Sequence, residues 1–383
     1  MEVKSWEEAH GFLGSDCWRY PILTAKCEAE ARPGYKSKKA HEFQEVPEVF
    51  ESKIKLLAGL IRKSSRMIAY TGAGISTAAG IGDYASKAAD SAISTRPKLK
   101  SMLDAEPTLA HRVLVSLYRA GYLKHWVQQN HDGLPQKAGF PQHALNEIHG
   151  AWFDPSNPVV PMSGVLRSDL FQWMLDWEQK TDLVLAMGSS LCGMNADRVT
   201  TTCAKKSLKK KDGAIGTVIV SLQQTQLDDV SCLRIFAKVD DVMAALVREL
   251  ELDVAAAGTP LSIPKSIEED VFEIPYDKEG KLSEEKSILD LREGARVKIL
   301  CGPYAGDTGV VTGKTEGKFY SIRFMHLNTH GKRKVPIKRA FGVWMIRDAV
   351  DGLGFYPDGS ISLVNCGPDD PRDEYDESSY TVG

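Results

Sequence analysis

Apolar residues at Ile54, Leu57 and Ile61, with Leu56 and Leu60 beside them, recur at helical spacing and predict an amphipathic helix over 48–64. From 66 to about 252 the pattern changes to short apolar runs separated by helical stretches. Met67-Ile68-Ala69-Tyr70, Trp126-Val127-Gln128, Leu183-Val184-Leu185-Ala186-Met187 and Thr217-Val218-Ile219-Val220 are such runs, and each ends in polar or glycine-rich residues. Val242, Met243, Leu246, Val247 and Leu250 mark the apolar face of a closing helix. This alternation predicts an α/β domain over 46–252 with a doubly wound, Rossmann-like parallel sheet. Ligands of such sheets sit at the carboxyl ends of the strands. Residues 1–45 are mixed and polar, broken at Pro33-Gly34, and read as an N-terminal arm.

Beyond 252, Gly258, Pro260, Pro264, Pro275 and many charges predict a linker over 253–285. The period then falls to two in Ala295-Arg296-Val297-Lys298-Ile299-Leu300. After the turn Gly302-Pro303-Tyr304-Ala305-Gly306-Asp307-Thr308-Gly309, strand-like runs follow at Val310-Val311-Thr312, Phe319-Tyr320-Ser321-Ile322-Arg323-Phe324 and Val343-Trp344-Met345-Ile346. These predict a small C-terminal β barrel over 286–350 and an acidic tail over 351–383.

Composition bounds the function. The 383 residues are 43% hydrophobic with a net charge of −3, enough for two or three domains and without a global pull toward nucleic acid or membrane. No apolar run approaches the roughly twenty residues of a membrane helix, and Met1-Glu2-Val3-Lys4-Ser5-Trp6-Glu7-Glu8 lacks an apolar signal core. Seven cysteines, at 17, 27, 192, 203, 232, 301 and 366, form no Cys-x-x-Cys pair. They suit reduced thiols and an intracellular protein, nuclear or cytoplasmic, with a cytoskeletal assembly among its hosts.

The candidate chemistry lies at strand ends. Thr71-Gly72-Ala73-Gly74-Ile75-Ser76 follows the first strand, where glycines let backbone approach a ligand and a following helix turns its N–H groups to a phosphate. Asn130 and Asp132 are placed to hold ribose hydroxyls or a carboxamide, and Ser189 and Ser190 offer hydroxyls after the Leu183 run. His149 is a candidate base. Taken singly, each has a bland reading: a turn, a satisfied histidine, a good turn sequence. Jointly, in order and at strand ends, they favour a dinucleotide site.

These blocks, with Gln129-Asn130-His131-Asp132-Gly133-Leu134 and Leu145-Asn146-Glu147-Ile148-His149-Gly150, resemble the sirtuins, the NAD-dependent protein deacylases. The resemblance covers about 48–252. It implies NAD as cofactor, bound by Gly72, Ala73, Gly74, Ser76, Asp83, Gln129, Asn130, Asp132, Gly188, Ser189, Ser190 and Gln223, with His149 as general base. Gly139-Phe140-Pro141, Ala151-Trp152-Phe153, Arg234-Ile235 and Val239-Asp240-Asp241-Val242-Met243 look most like the class IV branch. Three departures stand out. The family's four zinc-binding cysteines have no counterpart, because no cysteine lies between 28 and 191, so no zinc and no metal site is expected. The family's Pro-Asp-Phe-Arg becomes Gly82-Asp83-Tyr84-Ala85, which removes a cation that Lys87 does not replace. Met162-Ser163-Gly164-Val165 stands where a substrate-pairing Phe-Gly-Glu is expected.

Two readings therefore stand. One is an NAD-dependent protein-lysine deacylase, or ADP-ribosyl transferase, acting on an acylated protein through His149. The other is a catalytically degenerate scaffold that keeps the fold. The C-terminal module resembles a KOW motif, which implies anchoring on a larger protein or nucleoprotein assembly through 286–350. Tyr304 and the basic Lys332-Arg333-Lys334 are its expected contacts, with protein favoured over nucleic acid. His326 and His330, four apart in a strand and turn, do not read as a metal pair.

Overall fold

The computed structural model describes residues 3–31, 38–83, 86–91, 101–161, 164–261, 263–316, 318–327 and 334–367. Tyr84, Ala85, Met162, Ser163, His330, Lys332, Arg333 and the acidic stretch 368–377 lie outside them, as does Pro33-Gly34. The chain divides into two units. One comprises Met1–Phe140, Ala144–His149 and Ser168–Pro260; the other comprises Pro141–His143, Gly150–Arg167 and Leu261–Gly383.

The first unit runs α1 (Trp6–His10), β1 (Ile22–Ala25), β2 (Glu42–Gln44), α2 (Pro47–Lys63), β3 (Met67–Thr71), α3 (Leu109–Arg119), β4 (Leu123–Gln128), the one-turn α4 (Leu134–Lys137), β5 (Leu145–Glu147), α5 (Ser168–Lys180), β6 (Leu183–Met187), α6 (Arg198–Leu208), β7 (Gly216–Val220), β8 (Leu233–Ile235) and α7 (Val239–Leu250). Strands β3 to β8 form one parallel sheet in the order β5-β4-β3-β6-β7-β8. Every residue of β3, β6 and β7 is buried, which is why these strands read as apolar runs. Helix α2 starts with Pro47 in its first turn, ends with Arg62 and Lys63, and buries Ile54, Leu57, Leu60 and Ile61. The chain order reverses between β3 and β6. That switch point is where a doubly wound sheet opens its crevice.

The N-terminal residues are structural parts of this unit. Phe12 N donates to Ser231 O (3.0 Å), Leu13 N to Cys232 O (3.0 Å), and Phe43 N to Leu222 O (2.8 Å). Gly11 has φ +76°, and a Cβ there would lie 2.7 Å from the Leu233 backbone.

Among the described residues of this unit, His10, His41, His111 and His125 are buried, and burial lowers the pKa of each. Burial pushes His125 down to about 3, and His111 and His10 down to about 4. His125 stacks on Trp177 with centroids 5.0 Å apart, and His111 Nδ1 sits 2.7 Å from Thr108 Oγ1 in the α3 capping box. The unfolded chain binds these protons as pH falls through about 6.5, and the folded chain does not. Stability is therefore full above that value and is lost on the way down to pH 4, about 2 kcal/mol for each fully buried histidine by pH 5. Urea unfolding at pH 7 and pH 5 will show this loss, and His125→Gln will remove about one share of it.

The second unit holds β9 (Val271–Tyr276), β10 (Leu282–Asp290), β11 (Arg296–Ile299), β12 (Thr308–Lys314), β13 (Phe319–Leu327), β14 (Lys334–Gly342), α8 (Val343–Val350) and β15 (Leu363–Asn365). It corrects the expected barrel. The described strands form an open antiparallel sheet, β14-β13-β12-β11-β15, and a separate β9–β10 hairpin. Part of the predicted linker is that hairpin, and the predicted tail contributes β15, which pairs with β11. The apolar run from Val343 is a helix; a short run without a period is ambiguous between strand and helix.

Gly150–Arg167 belongs to this second unit. Phe153 packs on Trp344 (5.0 Å) and Phe319 (5.4 Å), and its carbonyl accepts from Gly342 N (3.0 Å). The Tyr356 hydroxyl donates to Asp154 Oδ2 (2.7 Å) and lies 2.6 Å from Ser156 Oγ. The Arg167 guanidinium sits over the Tyr356 ring (4.6 Å) and donates to Ser156 O (3.1 Å). Gly302 closes on the same segment; a Cβ there would lie 2.0 Å from Ser156 O, so part of the expected contact turn is spent inside the unit. Tyr356→Phe will leave buried Asp154 short of a donor and cost about 1–3 kcal/mol. Hydrogen exchange will accelerate across 150–167 more than in the β3–β6 strands.

Candidate active site

The loops after β3 and β6 meet at the switch point. Gly72 N donates to Met187 O (3.1 Å) and Gly74 N to Gly188 O (2.9 Å). A Cβ on Gly74 would lie 2.7 Å from Gly188 Cα, and one on Gly188, whose φ is +59°, 2.6 Å from Gly74 C. These glycines are required by loop meeting loop, where the sequence suggested ligand approach. The expected helix start is two short 3-10 turns, Ala73–Ile75 and Thr77–Ala79. The chain can turn there without the longer helix because Gly80 takes a left-handed conformation and ends the second turn.

The predicted polar residues form two hydrogen-bonded groups. In the first, fully buried Ser76 donates from Oγ to Asp132 Oδ2 (2.6 Å) and accepts from Asn130 Nδ2 (3.0 Å). Asp132 Oδ1 also accepts from Gln128 Nε2 (3.2 Å) and Leu134 N (3.0 Å). Asp132 is thus an organiser: its carboxylate is 1% exposed and holds the loop that presents half-buried Asn130. Asn130 Nδ2 reaches Gly72 O as well (3.2 Å), tying the β4 loop to the β3 loop.

In the second group, Gln129 Nε2 donates to Tyr70 OH, to Ser189 Oγ (3.3 Å) and to Asp197 Oδ1 (3.3 Å). Tyr70 OH donates to Asp197 Oδ1 (2.6 Å), and Asp197 Oδ2 accepts from Gly193 N and Met194 N (2.9 Å each). Burial and the Asp197 charge raise the Tyr70 hydroxyl well above its usual range. Ser190 Oγ lies 3.4 Å from Cys192 Sγ, and the intervening Leu191 is held at φ +45°.

On the β7 side, Gln223 N donates to Ser221 Oγ (3.3 Å), and Arg234 clamps this loop from below. The fully buried guanidinium donates to Gln223 O, Ser221 O (3.0 Å) and Asp228 Oδ1 (2.8 Å), and stacks 3.6 Å over Phe236. A crevice beside it is lined by Ala31, Lys38, Ser190, Cys192, Gln224 and Thr225, so the N-terminal residues reach the site. Asp83 accepts from Ser86 N (2.7 Å) and Oγ (2.8 Å) in a local turn. His149 follows β5 at the same carboxyl edge, where Ile148 N extends the pairing to Gln128 O (3.2 Å). The next residue must be glycine: Gly150 has φ +94°, and a Cβ would lie 2.3 Å from Pro158 O.

Sequence reasoning missed Tyr70, Gln128, Asp197 and Arg234. The available signal was polarity inside apolar strands: a tyrosine hydroxyl or guanidinium buried there must find partners. Among the described residues no group of three or more His, Cys, Asp or Glu is placed to hold a metal. Nor is any described helix long and apolar enough to cross a membrane.

No family model matches the chain. It is 30% identical over 269 residues to the NAD-dependent protein deacetylase sirtuin-7 of Rattus norvegicus, covering 58% of this chain and 65% of that protein. It is 31% identical over 274 residues to the NAD-dependent protein deacetylase SRT1 of Arabidopsis thaliana, covering 61% and 54%. It is 26% identical over 251 residues to an NAD-dependent protein deacetylase of Rhodopseudomonas palustris, covering 51% and 96%. The match thus spans less than two thirds of the rat and Arabidopsis proteins' own length. A solved Sir2 enzyme structure aligns with 52% of the chain at 21% identity and a TM-score of 0.44. Across the length shared with these relatives, the sequence supports the sirtuin (Sir2) family.

Proposed function

We propose that this chain binds NAD at the carboxyl ends of β3, β4, β6 and β7 and uses it to remove acyl groups from protein lysine side chains. The observation that carries this is the meeting of the β3 and β6 loops at the switch point, bridged by Gln129 to Ser189 and by Asn130 to Ser76. The donor set fits a dinucleotide. Gln129, Asn130 and Ser190 are half-buried neutral groups suited to hydroxyls and a carboxamide. Gln128 Oε1 is a buried acceptor with no hydrogen-bond partner among the described residues. Gly72 and Gly74 have spent their N–H groups, so Ala73 is the amide of this turn that would meet a phosphate.

NAD, when bound, would supply a ribose carbon at which the acyl oxygen of the substrate takes the place of the departing nicotinamide. His149 then takes a proton from a ribose hydroxyl at an imidazole nitrogen, making that oxygen nucleophilic toward the acyl carbon. The acylated lysine belongs to a protein substrate. The similarity of Gly139-Phe140-Pro141 and Arg234-Ile235 to the class IV branch supports that assignment within the family. The reading includes no zinc requirement: Gly150–Arg167 contains no cysteine and is packed by Phe153, Asp154 and Arg167 instead. The C-terminal sheet, KOW-like around β11 and β12, is read as the contact surface for a larger assembly, through exposed Pro303 and Ala305.

The test is nicotinamide release from NAD with acyl-lysine peptides of several chain lengths, alongside calorimetry with NAD alone. Release only when peptide and NAD are both present supports the reading. NAD binding without release on any peptide reduces the protein to an NAD-binding scaffold. No binding at about millimolar NAD overturns the site.

A further inference from the structure

We infer that Tyr70 and Asp197 are positioning residues that fix the amide of Gln129 so that its oxygen, and not its nitrogen, is presented to the bound dinucleotide. The inference rests on the NAD-binding reading of this site. It starts from donor and acceptor bookkeeping. Tyr70 OH donates its one proton to Asp197 Oδ1 (2.6 Å), so toward Gln129 it offers only a lone pair. Asp197 Oδ1 is an acceptor too (3.3 Å), and Ser189 Oγ stands at the same distance on the other side (3.3 Å). Three oxygens thus converge on one nitrogen. An amide turned the other way would set its carbonyl against the Asp197 carboxylate and a phenol oxygen whose proton is already given to Asp197, leaving the Ser189 hydroxyl as the one donor of the three.

The arrangement also resists relaxation. Tyr70 is fully buried on β3, its ring fixed by the sheet. Asp197 is 3% exposed, and its second oxygen is held by two backbone N–H groups, Gly193 and Met194 (2.9 Å each). Gln129 itself is half-buried, so its free end is the side that meets a ligand. Its backbone is pinned as well, with N donating to Thr71 O (2.9 Å). The presented Oε1 takes a hydrogen bond from a donor, and the donors on a dinucleotide are its ribose hydroxyls and its carboxamide and amino N–H groups. One buried carboxylate therefore ties β3, the β4 loop and the β6 loop into one acceptor of set direction.

Calorimetry with NAD on the full chain tests this through Tyr70→Phe, Gln129→Ala and the double variant. Tyr70→Phe removes the acceptor that orients the amide, and will raise the NAD Kd about 5–10-fold. Gln129→Ala will raise it by a similar factor. The double variant will be no weaker than Gln129→Ala, because Tyr70 acts through Gln129. In turnover the Tyr70→Phe loss will fall on KM for NAD, with kcat held within about twofold. Asp197→Asn, if it folds, will match Tyr70→Phe or exceed it. Additive losses in the double variant, or an NAD Kd within twofold of wild type in Tyr70→Phe, overturn the inference. Failure of the wild-type chain to bind NAD overturns the underlying reading instead.

Discussion

On the proposed deacylase reading, His149→Ala will lower formation of deacylated peptide by about 10²–10⁴-fold, the usual contribution of a positioned general base. The NAD Kd, by contrast, will stay within roughly threefold. The asymmetry is the diagnostic part. A base acts on a proton in flight, so its loss raises the barrier without weakening the ground-state complex. The backbone around His149 predicts a clean substitution. Ile148 is bound to Gln128 O (3.2 Å) and Gly150 is conformationally fixed at φ +94°, and neither depends on the imidazole. Gln129, Asn130 and Ser76 are held by their own hydrogen bonds. Equal loss of NAD affinity and turnover in His149→Ala would make the histidine a binding residue. Unchanged turnover would remove it from the chemistry.

How much of this was legible in the residues depends on where the partners of each group lie. Strands β3, β6 and β7 are buried on both faces, so each is an unbroken apolar run, and the doubly wound sheet could be read directly. Strands β5 and β8 are three residues long with a polar centre, Asn146 and Arg234, and were not legible. Those polar centres are satisfied only by the fold: Asn146 Nδ2 finds Leu170 O (2.8 Å) and Arg234 finds Asp228 (2.8 Å). The same holds at the site. The residues that face outward, Gln129, Asn130 and Ser190, were named from their loops. Tyr70 and Asp197, which hold Gln129, lie 127 positions apart and meet only in three dimensions. The glycines carry a second reason that the sequence did not show: the neighbour that excludes a Cβ at Gly74 is Gly188 of another loop. In the C-terminal region the period of two located β11, β12 and β13. It could not show that the predicted tail supplies a further strand, β15, nor that Val343 begins a helix.

Lys53→Met will destabilise the first unit by about 3–5 kcal/mol, the cost of leaving a buried charge without its partner, and lower its melting temperature by roughly 10 °C or more. Lys53 lies on α2 and Glu45 just before it; both side chains are fully buried, and Nζ and Oε1 are 2.6 Å apart. Nζ also donates to Ala9 O (2.7 Å), and Glu45 Oε1 accepts from Phe236 N (2.9 Å). One ion pair thus joins α1, α2 and the end of β8, which no pattern in the sequence announces. Burial pushes the Lys53 ammonium down to about 8 and the Glu45 carboxyl up. Methionine fills the space of the lysine stem but offers Glu45 nothing, so the raised folded-state pKa of that carboxyl rises further. A carboxyl so raised is stable in its protonated form. Its contribution is therefore present below the unfolded pKa and is lost as pH rises through the folded one. The deficit of Lys53→Met relative to wild type will accordingly be smaller at pH 5 than at pH 8. Adding Glu45→Gln will recover a large part of the deficit at pH 8, because the amide oxygen still accepts from Phe236 N and carries no charge. A deficit that is independent of pH, and not recovered by the second change, would mean that lost packing around the lysine stem and not the stranded carboxylate sets the cost. Denaturant unfolding of the three proteins at the two pH values separates these outcomes.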